Sequence, residues 1–343
     1  MEVATPIISS TTGGAVARPF LTSATAFPER QLSLRIAPEL WLKRLVIGGF
    51  EKVFEIGPSF RNEGAYKLLI YIWEQTAYGF EIGLDKTHNP EFTTCEFYHA
   101  YANLDDLLTM TENLLSGMAE QIRKLNEAKT LEPTGVNFNV PFRRIDFTVG
   151  IEERMNRKLP DLASVDAQAQ VQKIFDDLSL PIPENPTLPR LMDELCAIYL
   201  EPECMVPTFI INPPECLSPL SKSSIHPITN QRVAARGELF IEGSEVANMY
   251  EEENSPFAQR RKFEEQVRYN RSDSELDPEV DESFLRALEW GLPPTGGWGC
   301  GIDRLCMLFT GVKRIGDVLP FGNLRAVSSG DHETVFSKKY DIS

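Results

Sequence analysis

Three stretches of this sequence carry residues whose types and spacing could do chemistry. The first is "FRNE" (60–63) taken with "THNPEFTTCEFY" (87–98). Alternate residues of a strand share a face, so Phe92, Thr94, Glu96 and Tyr98 line one side, and Arg61 and Glu63 share a side of the strand before. An aromatic ring, an arginine and carboxylates converging between two antiparallel strands suit a nucleotide and a polar co-substrate. The same pattern also fits an ordinary half-buried hairpin with surface charges.

The second stretch is "GELFIEGSEVANMYEEEN" (237–254). A hairpin turning near Gly243-Ser244 places Glu238 and Glu245 on one face, and paired carboxylates beside phosphates can hold Mg²⁺. Asn248, Tyr250 and Glu252 share another periodic face. A regular strand would set Glu245 opposite to Asn248, so one common site requires a bulge between them. A solvated acidic edge is the alternative. The third stretch is "GGWGCGIDRL" (296–305). Its glycines let backbone approach a ligand, and Arg304 falls in the first turn of the next helix, where anions are favoured. It is neither a dinucleotide fingerprint nor a phosphate-binding P-loop.

These stretches need positioning elements. In "APELWLKRLVIGGF", Leu40, Leu42, Leu45 and Val46 have helical spacing and Gly48-Gly49 ends the helix. Residues 104–125 form the clearest helix, with Asn103 as cap, two Asp in the first turn and Arg123 and Lys124 near the end. Residues 151–206 read as a helical, Pro-punctuated insertion, "PTFIINPP" as a strand, and 256–271 and 281–290 as helices. "GGWGCGIDRLCMLFTG" reads as a Gly-rich strand feeding a helix that stops at Gly311. The end of the sequence, 328–343, is polar and is expected to fray.

Bulk properties bound the rest. The chain has 343 residues, 42% of them hydrophobic, which is enough for a large core. A net charge of −16 argues against DNA or general nucleic-acid backbone binding, so any such contact must be local. Six cysteines without a C-x-x-C pair and four histidines give no zinc pattern. No run approaches the roughly 20 apolar residues of a membrane span. The opening "EVATPII" reads as a strand with no element before it, so the sequence is expected to begin inside a fold.

Together the three stretches are far more specific than any one. The sequence resembles the catalytic domain of class II aminoacyl-tRNA synthetases and, within them, the lysyl enzymes. "FRNEG…THNPEFTTCEFY" looks like the second class II motif and "GLPPTGGWGCGIDRL" like the third. "TGGAVARPF", "RIAPEL", "SPLSK" and "ELFIEGSEVANMYEE" match segments of the lysyl branch between them, over about residues 2–327. The resemblance implies an α+β fold: a six- to seven-stranded antiparallel sheet flanked by helices, with a helical insertion at 151–206.

It also implies roles. Arg61 would bind the ATP α-phosphate and the lysine carboxylate. Glu63 and His88 would contact ATP, Phe92 would stack on adenine, and Arg304 would bind the γ-phosphate. Glu238 and Glu245 would hold Mg²⁺. Gly14 and Glu39 would receive the lysine α-amino group, while Glu96, Tyr98, Asn248, Tyr250 and Glu252 would form the side-chain pocket. An uncharged isostere would leave those carboxylates unpaired. A pocket for aspartate would need a cation, and no Lys or Arg occupies these positions. The expected activity is formation of lysyl-adenylate from L-lysine and ATP and transfer to tRNA(Lys). The alternatives are a paralogue that lysylates a translation elongation factor, or a catalytically impaired synthetase-like protein.

The sequence departs from the family pattern in several places. Residues 64–82, "GAYKLLIYIWEQTAYGFEI", lengthen the second-motif loop and supply no chemistry. A translated intron is the favoured account of them and a hairpin extension the alternative. The segment is expected to impair solubility and catalysis. Pro58 stands where an Arg is frequent, and Gly237 where an aromatic often precedes "ELF". The family's dimer-forming helix and anticodon-reading OB-fold are not in the sequence, although a homodimer is the family's expected state. "INPPECLSPLSK" and "GNLRAV" are nearer the organellar branch, so a mitochondrial location is expected, with the cytoplasm as alternative.

Overall fold

A computed structural model describes residues 1–9, 17–62, 87–125, 135–270 and 280–322. Gly14, Glu63, the 64–82 segment and the 328–343 tail lie outside these described residues.

A small antiparallel sheet of β1 (Ile8–Ser9), β2 (Leu21–Ala24) and β3 (Phe27–Leu34) precedes α1 (Glu39–Ile47). Then β4 (Lys52–Phe60) and β5 (Glu91–Ala100) pair antiparallel, followed by α2 (Leu104–Leu125). β6 (Arg143–Asp146), α3 (Phe147–Met155), α4 (Ala167–Leu178) and α5 (Leu188–Tyr199) lead to β7 (Thr208–Ile211). After the short hairpin of β8 (Ser223–Ile225) and β9 (Arg232–Ala234) come β10 (Arg236–Ile241) and β11 (Ser244–Glu251). The described part closes with α6 (Pro256–Asn270), α7 (Glu282–Leu288), β12 (Thr295–Gly301) and α8 (Ile302–Thr310).

The main sheet has seven strands in the order β4-β5-β12-β11-β10-β7-β6. Every pair is antiparallel except β6 and β7, which run parallel. A parallel pair needs a crossover, and α3, α4 and α5 supply it. The helical segment expected at 151–206 is therefore threaded through the sheet's own connectivity, and its first helix begins earlier, at Phe147. Its helices share one apolar cluster with Ile145, Ile210 and Phe240 of the sheet.

Strand alternation divides β12 between two tasks. Trp298 and Cys300 face the core beneath α2 and α8, with Leu107, Leu108, Leu305 and Phe309. The Trp298 indole N–H donates to Thr111 Oγ1 at 2.9 Å, and its ring stacks on Phe97 at 5.1 Å. Gly297, Gly299 and Gly301 therefore fall on the opposite face. α2 is fixed at its start by a reciprocal cap: Asn103 Oδ1 accepts from the Asp106 N–H, and Asp106 Oδ2 accepts from the Asn103 N–H.

The β10–β11 hairpin turns at Glu242-Gly243, one residue earlier than expected, with φ values of 50° and 72°. Positive φ at both turn residues matches the twist of a two-residue hairpin. The register slips between Leu239 and Phe240: Leu239 pairs Ala247, but Phe240 pairs Glu245. Val246 is the extra residue of a bulge. That bulge brings Glu238, Glu245, Asn248 and Tyr250 onto one face, as a single site requires.

Candidate active site

The glycines of β12 lie on one sheet face between β5 and β11, and the side chains of those strands close over them. A Cβ on Gly297 would stand 1.9 Å from Glu252 Oε1 and 2.6 Å from Tyr98 Cε1. A Cβ on Gly299 would stand 3.3 Å from Glu96 Cγ. Cross-strand register explains both contacts, because Tyr98 and Tyr250 flank Gly297 while Glu96 and Asn248 flank Gly299. Glycine is needed here so that the carboxylates and phenols can lie down over the strand.

Glu39, Glu96 and Glu252 come together on this face beside Tyr98 and Tyr250. The Tyr250 hydroxyl donates to Glu39 Oε1 at 2.7 Å. Burial, and then the nearby Glu39 carboxylate, pushes the Glu96 carboxyl up to about 8. Burial raises Glu252 well above the usual carboxylate range as well, and likewise the Tyr98 and Tyr250 phenols. Glu252 is 0% exposed, and neither of its carboxylate oxygens has a hydrogen-bond partner among the described residues.

The sequence pattern missed the group at the centre of this cluster. A cation does stand among the pocket carboxylates, and α1 contributes it. The Lys43 ammonium lies 2.5 Å from Glu39 Oε1 and pairs with Glu252 Oε2. It sits among the rings of Tyr98, Tyr250 and Phe284, at 5.8, 5.6 and 5.8 Å from their centroids. The signal was present: Glu39, Leu42, Lys43 and Val46 share one stripe of α1, and a lysine on an apolar stripe needs a buried partner. Also missed was Arg35, which binds Glu55 Oε1 at 2.6 Å and the Pro58 carbonyl at 2.8 Å.

The other end of the cavity is cationic. Arg61 follows β4 directly, and its guanidinium lies over the Phe92 ring at 5.1 Å. Its Nε is buried and has no hydrogen-bond partner among the described residues. Arg304, in the first turn of α8, donates to the Glu245 carbonyl at 2.8 Å and meets His88 Nε2 at 2.8 Å. Asp303 Oδ2 accepts from the Thr93 N–H at 2.7 Å, tying α8 to β5.

Between the two ends, Glu238 is paired with Arg236, whose Nε donates to Asn248 Oδ1 at 2.9 Å. Burial raises the Glu238 carboxyl to about 7, opposed by Arg236 and reinforced by Glu245. Two mutually repelling carboxylates are hard oxygen donors that suit Mg²⁺. No group of three or more His, Cys, Asp or Glu side chains converges to hold a metal among the described residues.

The two unusual residues bear differently on the site. Gly237 faces α2 on the far side of the sheet, where a Cβ would already approach Leu108 Cδ2 to 3.1 Å. The space an aromatic would need there is filled by α2. Pro58 serves through its carbonyl, as the acceptor for Arg35.

A seven-stranded, largely antiparallel sheet with carboxylates at one end of its open face and arginines at the other is the catalytic architecture of class II aminoacyl-tRNA synthetases. Residues 1–68 and 81–325 match the model of the family described as tRNA synthetases class II (D, K and N), and the chain belongs to that family. It is 42% identical to the mitochondrial lysine–tRNA ligase of Schizosaccharomyces pombe, over 95% of this chain and 58% of that protein. It is 40% identical to a probable cytoplasmic lysine–tRNA ligase of Encephalitozoon cuniculi, over 95% and 61%. It is also 40% identical to a lysine–tRNA ligase of Deinococcus radiodurans, over 95% and 57%. The chain thus spans little more than half the length of the curated relatives it matches.

Proposed function

We propose that this chain carries the site that activates L-lysine with ATP and passes the lysyl group to tRNA(Lys). The observation that carries the reading is the cavity's polarity. Glu39, Glu96 and Glu252 stand at the amine end, and Arg61 and Arg304 at the phosphate end of the same sheet face. Relatives named lysine–tRNA ligases support the choice of amino acid. Neither the elongation-factor paralogue nor an impaired relative is favoured by them.

In this reading the lysine carboxylate attacks the α-phosphorus, the bond to the bridging β-oxygen breaks, and pyrophosphate leaves. Both reacting partners are anionic, so the protein's work is charge neutralisation and in-line positioning. Arg61 holds the carboxylate against the α-phosphate, and Arg304 with His88 receives the terminal phosphates. Phe92 offers adenine the ring face that Arg61 does not cover. Glu39 takes the α-amino group, and Glu252 with Tyr98 takes the ε-ammonium. Glu238 and Glu245 would hold Mg²⁺, which relieves charge repulsion between the phosphates when bound. Gly14 and Glu63 keep their family roles as part of the proposal.

ATP–pyrophosphate exchange with each standard amino acid tests the reading: exchange dependent on lysine alone is expected, and exchange driven equally by aspartate or asparagine would overturn it. Charging of tRNA(Lys) transcript against lysylation of an elongation factor separates the acceptors. The mitochondrial location remains part of the proposal, supported by one relative's name and opposed by another's.

Two further outcomes are expected. In the open pocket Glu96 is held largely neutral at neutral pH, because its carboxyl is raised to about 8. An incoming ammonium favours the ionised form, so lysine binding should release up to about one proton near pH 7, and the release should fade as pH rises through about 8. Titration calorimetry in buffers of different ionisation enthalpy measures it, and the E96Q variant should abolish it. Replacing Glu238 and Glu245 together by alanine should raise the Mg²⁺ concentration needed for half-maximal exchange by about tenfold or more. An unchanged requirement would remove them as metal ligands.

A further inference from the structure

Lys43 has no part in the reaction described above, yet it is fully buried, like Glu252. It is 0% exposed and lies on the same side of the sheet as Glu39, Glu252, Tyr98 and Tyr250. What it touches is selective. It forms ion pairs with one oxygen of Glu39 and one oxygen of Glu252, and neither Glu252 oxygen has a hydrogen-bond partner among the described residues. Those two carboxylates are the ones that the proposed function assigns to the α-amino group and the ε-ammonium of lysine.

We propose that Lys43 is the positioning residue for amino-acid selection: it couples the two amine-binding carboxylates and gives Glu252 the counter-charge that opposes its neutralisation by burial. This inference rests on the lysine reading above and deepens it.

The physical reason is the cost of a buried carboxylate. Burial raises Glu252 well above the usual carboxylate range even with Lys43 beside it, and without that counter-ion the neutral form, which no longer demands a cation, would be favoured further. Burial alone would lower the Lys43 ammonium, but Glu252 and Glu39 more than reverse that and hold it above its ordinary value. The cation therefore stays in place. Every other neighbour is accounted for. α1 presents Glu39; β5 presents Glu96 and Tyr98; β11 and the residue after it present Tyr250 and Glu252. α7 presents the Phe284 ring, while Asp281 beside it lies 3.9 Å from Arg44. Lys43 is thus the one cation in direct contact with Glu252 among the described residues.

The arrangement also resembles its substrate. A lysine ammonium already lies between the carboxylates that are to bind a lysine, so their spacing is set for ammonium before any ligand arrives. The aromatic box keeps that internal ammonium out of the open cavity, so it shares Glu252 with the ligand instead of competing for it.

The test is the Lys43→Met variant of the full chain, which keeps length and removes charge. Lysine-dependent exchange should show a KM for lysine raised about 30-fold near pH 7, with kcat within about threefold of the parent. The KM defect should shrink as pH rises, because higher pH favours the ionised form of an uncompensated Glu252. Selectivity for lysine over its neutral isostere 6-hydroxynorleucine should fall about tenfold or more. A purely structural role would lower stability and kcat without moving the pH profile or the selectivity. If K43M does not fold, Lys43→Gln, which keeps donors for both carboxylates but drops the charge, is read with the same expectations. A variant with the parent's selectivity and pH profile overturns the role of Lys43 while leaving the lysine reading intact. A parent chain that shows no lysine-dependent exchange removes the reading itself, and this inference with it.

Discussion

Replacing Glu252 by glutamine should cut lysine-dependent ATP–pyrophosphate exchange by about 30- to 1000-fold, the equivalent of a buried charge-assisted hydrogen bond worth about 2–4 kcal/mol. Glutamine keeps the length of the side chain, and its carbonyl can still accept from Lys43. What disappears is the capacity for a negative charge facing the ε-ammonium. ATP binding should be unaffected, because the arginines that receive phosphates lie at the other end of the cavity. Exchange at the parent's rate with E252Q would remove Glu252 from the pocket.

Adding a single methyl group at Gly297 should be at least as damaging. Its Cβ would stand 1.9 Å from Glu252 Oε1 and 2.6 Å from Tyr98 Cε1, inside any real contact distance. Both neighbours are almost fully buried, so neither can yield cheaply, and overpacking of this kind costs about 1–3 kcal/mol. The displaced groups are also the ones that would grip lysine, and small displacements at such a site cost about 100-fold in rate. Gly297→Ala is therefore expected to lose lysine-dependent exchange by about 100-fold or more. Gly299→Ala, with its nearest contact at 3.3 Å, should be much milder. Measuring the two side by side checks that the floor of the pocket, and not glycine content in general, is what matters. Equal activity in both would sink the argument.

Much of this could be read in the sequence because period and punctuation agreed. The Asn103 cap, the end of α8 at Gly311 and the alternation of Phe92, Thr94, Glu96 and Tyr98 follow from local rules, and the structure shows each of them. The bulge at Val246 was legible as a requirement, since Glu245 and Asn248 could share a face only through one. What the sequence concealed was tertiary. Lys43 belongs to a helix far along the chain from Glu252, and only packing reveals that it is a counter-ion. Arg236 partners Glu238 two residues along the same strand, a spacing that reads equally well as surface charge. The parallel β6–β7 pair was hidden for the same reason, because a crossover of helices looks like an insertion until the strands are seen side by side.

The pairing of β4 with β5 has a consequence of another kind. The ladder continues through Phe60 opposite Glu91, and the Arg61 N–H then donates to the Pro90 carbonyl at 2.9 Å. The two ends of the intervening stretch are thus stitched together before it leaves the sheet. Arg61 and Phe92 meet across that stitch whatever the length of chain between them. Extra length there adds only loop-closure entropy, about 0.6 kcal/mol for each doubling. The second motif therefore behaves as a hem. Chain beyond it can vary in length while β4 stays paired with β5, so the fold survives a long segment there even where catalysis, which also needs Glu63 and His88 in place, suffers.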